Sequence, residues 1–277
     1  IANKPPGNLW TLSTDYFNLR GPALGTSYTY QGDNLLGIPG PYRGLFDVYG
    51  VHDMGHDNLG LGWRDLAVPD PFRGRVLGRH RQYLPGDWQL TGELGLVSDR
   101  NFLEQWFEYE WDTFKDESTD LDLHRIVGNS SFELTTEVRP NGFVTDTQWL
   151  PRGDHFLIGK SLLFDRVTWH EHTSIGYAQM QTASAPTDPA QVAVISPLSW
   201  EKQVQGVRAA TRHEFDMPFN AGPVKFVPYL LGEVGYWGED ITGNPLTREF
   251  GQAGVKASLP VSRIDPTIQS ELFNLNG

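Results

Sequence analysis

Side chains that alternate between apolar and charged with a period of two limit this chain more than any other feature, because only an extended strand turns successive residues to opposite faces. Over 207–217 the odd positions are Val207, Ala209, Thr211, His213, Phe215 and Met217, a mostly apolar row. The even positions are Arg208, Ala210, Arg212, Glu214 and Asp216. Pro218-Phe219-Asn220-Ala221-Gly222-Pro223 then supplies turn chemistry. The alternation resumes with Val224, Phe226, Pro228, Leu230, Val234 and Tyr236 on one face and Lys225, Tyr229, Glu233 and Trp237 on the other. This predicts a hairpin whose arms exceed the usual strand length of ~5–6 residues.

The same pattern predicts further arms. Phe132, Leu134, Thr136 and Val138 alternate with Ser131, Glu133, Thr135, Glu137 and Arg139, after which Pro140-Asn141-Gly142 is a hairpin signal and 143–150 the return arm. Trp88, Leu90, Leu94 and Leu96 alternate with Gln89, Thr91 and Glu93; 167–181 is another long arm, and 254–261 a shorter one. Weaker candidates are 42–51 and 59–66. One stretch departs from the rule: Asn101 to Thr113 carries Phe102, Trp106 and Tyr109 near helical spacing, with Ser98 or Asp99 as a candidate N-cap, and reads as a short helix or an aromatic, irregular strand entry. Residues 1–7, 37–41 and 183–189 are expected to be loops.

Two all-β architectures accommodate such arms: an antiparallel up-and-down meander, as a partial outer-membrane β-barrel, or a soluble sandwich. Arm length favours the barrel, since ~9–11 residues cross a bilayer as a tilted strand. So do Trp149, Trp169, Tyr177, Tyr229, Tyr236 and Trp237 near the arm ends, where a barrel places its interfacial aromatics. No apolar run is long enough for a membrane helix. With 22 Lys and Arg against 34 Asp and Glu, the net charge of −12 argues against nucleic acid as a partner. The absence of cysteine removes disulfides and thiolate chemistry. Gly, at 30 of 277 residues, exceeds the common level. Residues 1–70 form a loosely assigned β segment, a possible jelly-roll and barrel junction, and 71–277 the barrel segment. The ends, Ile1-Ala2-Asn3 and Phe273 to Gly277, read as those of an internal piece of a longer protein.

From Pro85 to Thr113 the chain resembles the LPS-assembly protein LptD (OstA) family, in a divergent variety similar to that of planctomycete-type bacteria. A strand is followed by Ser98, Asp99 and Arg100, then Phe102, Leu103, Phe107 and Asp112; a Trp-Leu-Pro step follows at Trp149, Leu150 and Pro151. The resemblance covers roughly 75–260, and Leu275-Asn276-Gly277 looks like the start of another family segment. It implies an outer-membrane barrel behind a periplasmic jelly-roll, with an LptE-like plug lipoprotein and periplasmic Lpt bridge proteins as partners. The cargo it implies is lipopolysaccharide, moved into the outer leaflet among outer-membrane lipid.

Other constellations have a bland reading beside a sharp one. His52-Asp53 and His56-Asp57 have ligand-like spacing, but Gly55, Asn58 and Gly60 make this a loop, where spacing fixes nothing. His170 and His172 share a strand face and could hold a metal with a third ligand, or simply be a polar pair. Glu104, Glu108, Glu110 and Asp112 beside Trp106 and Trp111 could suit a glycosidase, or be a solvated face. There is no G-x-S-x-G, Walker loop or G-x-G-x-x-G after a strand. The expectation is therefore a non-enzymatic transport segment without cofactor or metal. Arg208, Arg212, Glu214, Asp216, Lys225 and Glu233 are its lumen-facing candidates. A passive porin-like channel and a sandwich carbohydrate-binding module or glycosidase are the alternatives. The direction of Phe226, Leu230, Val234 and Tyr236 separates barrel from sandwich.

Overall fold

The computed structural model describes residues 7–60, 63–113, 117–186, 189–192, 198, 200–261 and 272. In chain order its strands are β1 (Leu9–Phe17), β2 (Gly21–Leu35), β3 (Ile38–His52), β4 (His56–Asp57), β5 (Leu66–Ala67), β6 (Phe72–Leu84) and β7 (Trp88–Val97). Short helices α1 (Phe102–Trp106) and α2 (Glu108–Thr113) follow, then β8 (Thr119–Val127), β9 (Ser130–Val138), β10 (Asp146–Leu162) and β11 (Val167–Gln181). The chain continues through α3 (Pro189–Val192), β12 (Gln205–Asp216), β13 (Phe219–Ala221), β14 (Val224–Trp237) and β15 (Leu246–Ser258).

All strands except the small β4–β5 ribbon belong to one 13-stranded antiparallel sheet. Its long strands pair in chain order, an up-and-down meander, while β13 folds back on the start of β14. The sheet is not closed: β1 pairs only with β2, and β15 only with β14, among the described residues. The long strands run from 9 to 17 residues. Connections at one end are short, as between Leu35 and Ile38 or Val127 and Ser130; those at the other include 53–71, 98–118 and 182–204.

The two faces have opposite chemistry. Register places Leu230 beside Phe215 and Ala253, and Val234 beside Thr211 and Glu249. That row stays open: Leu230 is 57% exposed, Val234 48% and Tyr236 40%, whereas Leu231, turned the other way, is 3% exposed. Trp10, Leu12, Leu24, Leu121 and Ile175 continue the same face as exposed apolar residues. Among the described residues no second sheet covers it, so they do not form a sandwich. The opposite face carries charged pairs and, at the end with the long connections, α1. There Phe102 is fully buried with Ala23 and Val51, and Tyr49, Val97, Leu103, Trp106 and Phe107 pack around them.

Aromatic rings on glycines tighten the first strands. Tyr30 lies directly across from Gly44, and Tyr42 across from Gly32, in the β2–β3 pairing. A Cβ on Gly32 would sit 2.6 Å from the Tyr42 hydroxyl, and one on Gly44 would enter the Tyr30 ring. Here a missing side chain is what lets the neighbouring ring lie flat on the sheet.

Several expectations need correction. The Pro140-Asn141-Gly142 turn is not a tight hairpin, and the return strand starts only at Asp146. The reason is that the Asn141 amide is engaged elsewhere: it donates to the Gly95 carbonyl at 2.8 Å and accepts from the Val97 amide at 3.0 Å, finishing β7 beyond its pairing with β8. The last arm begins at Leu246, not Gly254, because its whole length pairs with β14. Residues 38–41 belong to β3 rather than a loop. Of 59–66, only Leu66 is in a strand, and residues 61 and 62 lie outside the described residues. So do residues 1–6 of the expected loop 1–7 and the segment Leu275–Gly277. Strands β1, β2, β6 and β8 had not been expected.

Candidate functional site

Two regions of the polar face carry organised chemistry. The first is the charge ladder of β12 and β14. Arg212 stands opposite Glu233, Glu214 opposite Leu231, Asp216 opposite Tyr229 and Arg208 opposite Trp237, so register puts Arg208, Arg212, Glu214, Asp216 and Glu233 on one face. Lys225, in phase with Glu233 on β14, shares it. The charges pair with one another: Arg212 lies 3.5 Å from Glu233 and 4.0 Å from Glu214, and Lys256 of β15 reaches Glu214 at 3.1 Å. His170 is 3.7 Å from Asp216. His172 bonds Asp154 at 2.8 Å and stacks on Phe156 with centroids 4.0 Å apart. The two histidines thus pair with carboxylates on separate sides. Among the described residues no group of three His, Asp or Glu is placed to hold a metal ion.

The second region is built by Ser98, Asp99, Arg100, Phe102 and Leu103. Asp99 does not cap α1. Asn101 takes that position without a side-chain bond, while the Asp99 carboxylate accepts a bond from the Asn101 amide at 3.0 Å and is held by Arg73, with Nε and Nη2 each at 2.8 Å. Arg73, whose side chain is wholly buried, also reaches Asp53 at 3.0 Å and Asp57 at 2.7 Å. Arg20, from the β1–β2 turn, reaches the same carboxylates at 2.6 and 2.8 Å. The aspartates of the two His-Asp pairs are therefore members of a buried ionic cluster. His56 instead pairs with Asp65 at 2.6 Å, and His52 packs on Phe72. Arg100 donates to the Ser184 carbonyl at 2.7 Å, and burial lowers its pKa. Asn101 accepts a bond from Gln191 at 3.1 Å. Loops from both halves of the sheet thus converge on α1.

No protein-family model and no curated protein matches this chain.

Of the carboxylates of α1 and α2, Glu110 is held by an arginine, while Glu104 lies within electrostatic reach of Glu108 and Asp112. Glu110 pairs with Arg75 at 2.6 Å, and Arg75 also contacts Asp47 at 3.3 Å and lies over the Phe107 ring. Glu104 has its pKa raised by burial and then by Asp112, Glu108 and Asp57. Glu117 is raised chiefly by burial, against the pull of Arg79 and Arg75. Trp149 lies on the polar face beneath the Arg152 guanidinium, 4.7 Å away, and Leu150-Pro151 forms the bulge between them in β10. That bulge takes Leu150 and Pro151 out of the ladder, where a proline is tolerated, while Trp149 stays paired with Ala178 and Glu137.

The aromatic expectation holds only in part. Trp169, Tyr177 and Tyr236 share the apolar face, but Trp149, Tyr229 and Trp237 turn to the polar one. Trp10 and Tyr16 of β1 supply exposed aromatics near its ends instead. The residues that sequence reasoning missed are Arg20 and Arg73. Arg73 had a local signal, since Arg73, Arg75, Arg79 and Arg81 fall on alternate positions of one strand face.

Proposed function

We propose that this chain is a membrane-spanning segment of an outer-membrane β-barrel of the LPS-assembly (LptD-like) type, in which the apolar face meets lipid and the polar face lines the path of lipopolysaccharide. The observation that carries the membrane part is the open apolar row across a meander of strands long enough to span a bilayer. A large contiguous apolar surface of this kind is costly in water. The opposite face is ionic, with buried arginines paired to carboxylates, as a polar interior requires. The cargo rests on the resemblance carried by Ser98, Asp99, Arg100, Phe102, Leu103, Trp149, Leu150 and Pro151. The ordered α1–α2 plug over the polar face suits a guided path better than a passive open channel.

Since the chain has no cysteine, single-cysteine variants report position directly. In vesicles, a fluorophore on Leu230→Cys or Val234→Cys is expected to be quenched by nitroxide-labelled lipid, and one on Glu233→Cys by aqueous iodide. Equal aqueous quenching at all three removes the membrane assignment. The cargo is tested separately by photo-crosslinking lipopolysaccharide at 208, 212, 214, 216, 225 and 233. Absence of product at every position removes the transport reading and leaves the barrel standing.

A further inference from the structure

On the polar face near the short-turn end, register lines up Gln31 of β2, Arg43 of β3, Arg81 of β6 and Thr91 of β7 as direct neighbours. Two cations therefore face each other across adjacent strands. Like charges in that position destabilise a sheet unless something compensates them. For several other arginines of this face the chain supplies the compensation itself: Arg73 has Asp53, Asp57 and Asp99, Arg75 has Asp47 and Glu110, Arg152 has Asp154, and Arg212 has Glu233. Arg79, one step along β6, stands across from Glu93 and within electrostatic reach of Glu117. Arg43 and Arg81 form no ion pair with any described residue, although the chain has an excess of carboxylates.

The pair also borders open space. Arg43 and Arg81 line a cavity of about 710 Å³ together with Gln31, Asp33 and Tyr83. Both also line a second cavity of about 300 Å³ on the side of Thr91 and Glu93. The carboxylates facing this region are Asp33 within the first cavity, Glu93 opposite Arg79, and Asp122 of β8 opposite Thr91.

We propose that Arg43 and Arg81 form a binding site for a phosphate monoester, the two guanidinium forks closing on one phosphoryl group with Gln31 and Thr91 as flanking neutral donors. Two fixed positive charges call for a dianion, and a phosphate monoester carries about −1.5 to −2 at neutral pH. Its oxygens accept the parallel N–H pairs that an arginine fork presents. The site stands on this row of residues and does not depend on the lipopolysaccharide reading.

The test uses the full chain in detergent micelles. Inorganic phosphate is titrated by calorimetry, and micelles doped with phosphatidic acid or phosphatidylcholine provide the lipid arm. Saturable phosphate binding is expected, weakened at least tenfold by Arg43→Gln or Arg81→Gln. Arg166→Gln, an exposed cation in the turn between β10 and β11, should leave it unchanged. Phosphate should raise the melting temperature of the parent chain but not of either variant. Without phosphate, Arg81→Gln should melt no lower than the parent, since it removes a repulsion; this also shows that the variant folds. Competition by phosphatidic acid but not phosphatidylcholine assigns the phosphate to a lipid headgroup, and binding of inorganic phosphate alone assigns it to a small soluble anion. No saturable binding of either probe, or binding equal in Arg81→Gln and Arg166→Gln, overturns the site. Both outcomes are read independently of the lipid-quenching experiment, so failure of one reading does not carry the other.

Discussion

Replacing Arg73 with methionine should be among the most damaging single changes in the chain. The guanidinium is fully buried and touches three carboxylates, two of which, Asp53 and Asp57, are themselves buried. Methionine keeps most of the volume, so the loss is electrostatic rather than a cavity. After the change, Arg20 alone faces Asp53 and Asp57, and Asp99 has lost its bidentate partner. Removing one partner from a buried ionic cluster costs about 3–5 kcal/mol, because the stranded charge cannot recover its hydration. Arg212→Met is the matched control: its side chain is half exposed and 3.5 Å from Glu233, a geometry in which a pair contributes about 0–1 kcal/mol. Urea unfolding of both variants in the same detergent, followed by tryptophan fluorescence, gives the comparison. Protease sensitivity across 102–113 adds a local readout, since Phe102 packs beside Arg73 with its ring 5.7 Å from the guanidinium carbon. Adding Asp57→Asn to Arg73→Met should recover part of the loss by removing one stranded charge. If Arg73→Met falls within about 1 kcal/mol of the parent, like the half-exposed Arg212 pair, then water screens the cluster and the burial argument fails.

Two further outcomes follow from the same structure. Gly44→Ala should cost about 1–3 kcal/mol by driving a methyl into the Tyr30 ring, and Tyr30→Ala in the same chain should relieve much of it. A double-mutant cycle by urea unfolding with no coupling between the two positions would refute the ring-on-glycine packing. Glu104, whose pKa is raised by burial and neighbouring carboxylates, should make the fold less stable as pH rises. The sign follows because the folded state holds that proton more tightly than the unfolded chain, so the loss begins above the ordinary carboxylate range. Glu104→Gln should therefore flatten the fall in melting temperature between pH 4 and pH 8; parallel profiles for parent and variant would refute it.

How far the fold was legible depended on how strongly the two faces differ in each strand. In β12 and β14, where Arg and Glu alternate with Val, Phe and Leu, the arms were found nearly to the residue. In β2 one face carries Gly, Ala, Ser, Thr and Gln and the other Pro, Leu, Thr, Tyr and Gly, with no charged residue before Asp33, so the contrast that marks a strand is faint. β6 and β8 were legible but unread: arginines at 73, 75, 79 and 81, and Asp120, Asp122 and His124 against Leu121 and Leu123, carry the period of two. Of the two readings open for 101–113, a short helix or an irregular strand entry, the helical spacing of Phe102 and Trp106 marked the right one, since a turn of helix is a local property.

Alternation along the chain was enough to decide which side chains share a face, because the pleat turns every second residue the same way whatever lies beside it. It decided the all-β class, the long arms and the separation of greasy from ionic rows. It could not decide which rows meet. Arg43 faces Arg81, Arg73 gathers Asp53, Asp57 and Asp99, and Asn141 finishes β7, because successive long strands pair in one register and loops from both halves of the sheet close over α1. Those partners are fixed by hydrogen-bond register and by the need to neutralise buried charge, and both exist only once the sheet has formed.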